Sequence, residues 1–104
     1  MAGTRVWAEL ARLADWPDLP RRAALELAQA ANERLHLVRL AMLEQSPAET
    51  LIAELCIGSA RVPGIWLTVA LECVQAAVSM CARETAALRD PNLAELILDR
   101  ADDA

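Results

Sequence analysis

The sequence predicts an all-α fold, a compact bundle of four to five helices with one long, largely apolar helix at its centre. Three observations carry this prediction. Apolar residues make up 56% of the 104 residues, above the roughly 45–50% of soluble domains, and the excess is mostly Ala and Leu. Phe and Tyr are absent and β-branched residues are few, a composition that favours helix over strand. The prolines stand where a helical chain would turn, and the stretch from Ile65 to Ala82 (IWLTVALECVQAAVSMCA) is apolar almost all the way round. At about 100° per residue, Thr68, Glu72, Gln75, Ser79 and Arg83 fall on one narrow polar stripe of that helix.

Each element of a single helical domain over 1–104 follows from local signals. Thr4 is placed to cap a first helix over about 4–16, with Val6, Leu10, Leu13 and Ala14 at helical spacing. Pro17-Asp18-Leu19-Pro20 ends it, and Asp18 is a suitable N-cap for a second helix over about 19–45. Its seam would be Ala24, Leu27, Ala28, Ala31, Leu35, Val38 and Met42. Ser46-Pro47-Ala48-Glu49 reads as a capping box with Pro at the first helical position, opening a third helix over about 47–58. Val62-Pro63-Gly64 breaks the chain before a fourth helix over about 65–89. Asp90-Pro91 repeats the cap-and-proline device for a fifth over about 91–100.

Charge and cysteine usage narrow the function classes. The formal charge of −5 argues against a nucleic-acid partner, because phosphate binders need clustered positive charge. All ten basic residues are Arg, which with the abundant Ala suggests a bacterial genome of high GC content. The N-terminal residues show no apolar run of a secretory signal, and three cysteines without pairing spacing suit the reducing cytoplasm. A membrane span over 65–82 is disfavoured by Glu72 near its centre, since a charge at mid-bilayer costs at least about 2.5 kcal/mol.

Catalytic, cofactor and metal sites are not expected. His36 is the one histidine, and no orienting partner for it is evident. Cys73 and Cys81 stand eight residues apart on one helix, about 12 Å at 1.5 Å per residue, beyond the roughly 7 Å a disulfide tolerates. With Cys56 they lack the short spacing of a zinc site. Trp7, Trp16 and Trp66, each near a helix end, are expected to fill the core, with anchoring of a binding contact as the alternative role.

The expected function is therefore association. On the outer side of the second helix Leu25, His36, Arg39, Leu40 and Leu43 form one candidate interface; on the fourth, Trp66, Val69, Glu72 and Cys73 form another. A homodimer through either surface is expected. The favoured reading is a small, acidic, cytoplasmic, non-enzymatic regulator that binds another protein through an apolar helical face. Its concrete form is a bacterial antagonist blocking the self-association of a transcription regulator, by fold-level analogy with small all-helical anti-activators. Other classes are a secretion or toxin chaperone or immunity protein, and a thiol-based redox sensor or enzyme using Cys56, Cys73 or Cys81.

Overall fold

The run Thr-Leu-Ile-Ala-Glu-Leu-Cys-Ile at 50–57 is the centre of the molecule, and it is a strand. In the computed structural model, which describes residues 3–59 and 61–102, the order is β1 (Thr4–Arg12), α1 (Asp18–Asn32), β2 (Arg39–Met42), β3 (Thr50–Ile57), α2 (Gly64–Ala87) and α3 (Pro91–Asp102). The fold is α+β, with an antiparallel sheet in the order β1-β3-β2. It is not the expected all-α helical bundle. The segments expected as helices over 4–16 and 47–58 are largely β1 and β3, and the one expected over 19–45 ends at Asn32 and re-emerges as β2.

The physical reason lies in a second periodicity. Along β1, Val6, Ala8 and Leu10 turn toward the helices while Arg5, Trp7 and Glu9 stand on the opposite face, an alternation of period two. Helical spacing of Val6, Leu10 and Leu13 coexists with it, and tertiary pairing decides between them. In β3, every residue from Thr50 to Glu54 is buried, Leu51 and Ala53 against the helices and Thr50, Ile52 and Glu54 on the other face, as befits the central strand between β1 and β2. The apparent capping box at Ser46–Glu49 is instead part of the loop between β2 and β3. Gln45 and Glu49 there adopt left-handed backbone, φ 59° and 49°, and the Glu49 amide donates to the Ser46 carbonyl.

The register fixes which backbone groups face outward. Leu43 N–H donates to Thr50 C=O at 2.8 Å on one side of β3, and Leu13 N–H donates to Glu49 C=O at 3.1 Å on the other. Hydrogen bonding alternates along a strand, so Ile52 and Glu54 bond toward β2, and Leu51, Ala53 and Leu55 toward β1. Their partners on β1 include Ala8 and Val6, which leaves the N–H and C=O of Arg5, Trp7 and Glu9 on the free edge. A bulge between Glu9 and Ala11 ends that regular edge.

The helices cover one face. α1 lies against β2 and α3, and α2 lies along β1 and more lightly along β3. α1 buries Pro20, Ala23, Ala24 and Ala28, small residues that permit close approach. Leu13, Leu51, Val74 and Leu88 fill the centre. Trp16 is buried with the Arg89 guanidinium 5.0 Å from its ring centroid. Trp7 and Trp66, expected in the core, are exposed, because strand parity and helix azimuth turn them outward. The chain runs β-α-β-β-α, and where a β-α-β-β-α-β unit would continue into a fourth strand, it continues into α3.

Candidate interaction surface

α2 presents three kinds of surface. Ala70, Val74, Ala77, Cys81 and Thr85 are buried. On the opposite side, Thr68, Glu72, Gln75, Ser79 and Arg83 are all exposed. Between these, Trp66, Val69, Cys73, Ala76 and Met80 recur at alternating three- and four-residue steps along one flank, and Leu67, Leu71 and Val78 mark the other. A single buried face accommodates only part of the apolar surface. Trp66 is 61% exposed, and of the most apolar 18-residue window of α2 only 17% is buried.

That helix is long and apolar enough to cross a membrane by length and composition alone. One face of it packs against the sheet, and a continuous polar stripe runs along the opposite side.

The Trp66 flank forms a groove with the end of β3. Leu55 and Ile57 supply its floor, Trp66, Val69 and Cys73 one wall, and Leu37, 73% exposed in the turn before β2, the rim. The volume is about 440 Å³ and the lining is overwhelmingly apolar, with Ser59 and Arg61 among its few polar contributors. Its described lining is suited in size and polarity to apolar groups, and among those residues no nucleophile is paired with a base. Among the described residues no group of three or more His, Cys, Asp and Glu side chains is placed to hold a metal ion.

The open face of the sheet carries a buried charge cluster. Glu54, 2% exposed, accepts hydrogen bonds from Arg5 Nε and, at 2.7 Å, from Arg39 Nε. Burial pushes the Glu54 carboxyl up, but the hydrogen bonds from Arg39 and Arg5, with their charges, outweigh it and hold the group below its ordinary value. Glu54 joins the two outer strands across the central one.

The nine residues expected at an interface separate into distinct environments. Trp66, Val69 and Cys73 come together in the groove, whereas Glu72 lies on the solvent stripe. Leu25 is exposed on α1, away from the groove. His36 is exposed in the turn after α1 and not on a helix. Arg39 is on β2 and engages Glu54. Leu40, expected on an outer helical face, is 5% exposed and belongs to the core, because as a strand residue opposite Ala53 it points to the helix layer. Leu43, half-buried, follows β2. Leu37, Leu55 and Ile57 join this surface without being among the residues expected at an interface. The apolar run 50–57 between Pro47 and Gly58 is the signal that could have revealed two of them. No family model matches the chain, no curated protein matches it, and no solved structure matches its fold.

Proposed function

We propose that this chain is a non-enzymatic protein-interaction module that holds a partner's apolar side chains in the groove between α2 and β3. The observation that carries this reading is the unburied flank of α2, where Trp66 and Val69 stand exposed above a groove of about 440 Å³. A patch of this kind beside polar surface is characteristic of a protein contact, and Trp is among the side chains that dominate such contacts. Each Leu- or Ile-sized side chain buried there contributes about 1.5–3 kcal/mol. The regulatory form of this reading is an antagonist that covers the self-association surface of a transcription regulator. It rests on the groove alone, because a chain with a sheet has no claim on the likeness to all-helical anti-activators.

The test is capture from a lysate of the native host with the parent chain and with Trp66→Arg and Val69→Asp. A stoichiometric partner held by the parent and lost from both variants, with unfolding midpoints unchanged, is the expected result. Equal capture by all three eliminates the groove.

A further inference from the structure

The two edges of the sheet are finished differently. At the β2 edge, the Asn32 side-chain amide occupies the outward N–H and C=O of Leu40. At the β1 edge, among the described residues, nothing occupies the outward groups of Arg5, Trp7 and Glu9: no strand lies beyond β1, and none of these backbone groups has a partner outside the sheet. An open edge of this length is a template for another strand.

We infer that the occupant is β1 of a second copy, paired antiparallel about a two-fold axis through Trp7. This surface is separate from the Trp66 groove, and the inference does not depend on the proposed partner. The sequence of the edge is its own complement. With Trp7 opposite Trp7 of the second copy, Arg5 lies opposite Glu9 and Glu9 opposite Arg5, so each outer pair joins opposite charges on the same face. Parity agrees: the same three residues carry the free backbone groups, and each facing pair exchanges two N–H···O bonds. Any register displaced by two residues at one chain breaks both charge pairs.

The helix layer continues the match. A groove along the outer side of β1 is lined by Thr4, Arg5, Val6, Trp7, Leu67 and Leu71, and Trp7 and Leu71 are nearly half exposed. A two-fold axis normal to the sheet keeps each face on its own side, so the second copy's α2 lies beside the first and the Leu71 flanks meet. Glu9 already holds Arg12 Nε at 2.7 Å and is itself 45% exposed, which leaves its second oxygen for the incoming arginine. The bulge after Glu9 ends the pairing at that residue.

Analytical ultracentrifugation of the full chain over a wide concentration range, with amide hydrogen exchange on the same samples, tests the inference. A reversible dimer is expected, with the Arg5, Trp7 and Glu9 amides protected only at concentrations where it forms. Trp7→Pro removes an amide that makes no bond to β3, so the fold tolerates it, and Leu71→Arg places like charges where the α2 flanks meet; both are expected to lose the dimer. Trp66→Arg is expected to keep it. A monomer at every concentration overturns the proposal, as does a dimer in which those amides exchange freely. Protection that appears only with a different bound protein also overturns it, and assigns the edge to that protein.

Discussion

The side-chain amide of Asn32 pairs with the backbone of Leu40 as a neighbouring strand would. Its Nδ2 donates to the Leu40 carbonyl at 2.9 Å and its Oδ1 accepts from the Leu40 N–H at 2.6 Å. The last residue of α1 thus occupies the outward groups of Leu40 on the edge of β2 and ties helix to sheet in one contact. Asn32→Ala leaves both Leu40 groups without their partner and is expected to destabilise the fold by about 1–3 kcal/mol. Asn32→Asp keeps an acceptor for the N–H and sets a carboxylate against the carbonyl, so it does not restore stability. Denaturant unfolding measures both; a wild-type midpoint for Asn32→Ala would show that water replaces the amide at no cost.

Glu54 gives the fold a defined acid response. Its carboxyl is held below the ordinary value, so the unfolded state binds its proton first as pH falls. The stabilisation is therefore complete above about pH 4.3, the unperturbed Glu value, and is lost as pH drops through the lower folded value. Glu54→Gln is expected to be less stable than the parent at pH 7, with the gap closing in acid. Chemical unfolding across that range checks it, and a gap independent of pH would mean that the Arg5 and Arg39 contacts do not discriminate between the protonation states.

The groove makes a prediction without any partner. Trp66→Arg changes an exposed side chain, so stability should stay within about 0.5 kcal/mol of the parent. Binding of an apolar fluorescent dye should fall at the same time. A dye signal unaffected by Trp66→Arg and Val69→Asp would place the accessible apolar surface elsewhere.

The three cysteines are expected to label in a fixed order. Cys56 is exposed and Cys81 buried, and burial, followed by the nearby Glu84 charge, pushes the Cys81 thiol up. Both effects slow attack, because the thiolate is the reacting species. Single-cysteine chains treated with a thiol reagent should show Cys56 modified first and Cys81 only on unfolding. Equal rates would contradict the packing of α2 on the sheet.

Local chemistry makes the elements after residue 63 legible. Pro63 and Pro91 bound two helical segments, and the stripe from Thr68 to Arg83 marks the solvent side of α2 because helical periodicity is a property of the segment itself. An excess of apolar surface beyond one buried face is likewise visible in the residues at 65–82. The first half of the chain is different. Val6, Leu10 and Leu13 fit a helix as well as Val6, Ala8 and Leu10 fit a strand, and the Ala and Leu content favours the former.

A helix satisfies its backbone within itself, whereas β1 does so through β3: Val6 is paired with Leu55 and Ala8 with Ala53, residues far along the chain. No window of sequence contains both partners. That long-range pairing turned Leu40 into the core, brought Leu55 and Ile57 beneath Trp66, and left the outer edge of β1 bare. Local periodicity is enough to say how the second half of the chain coils and where its grease lies. The tertiary structure decided which segments became strands, because only a folded chain can supply the hydrogen-bond partners that a strand lacks.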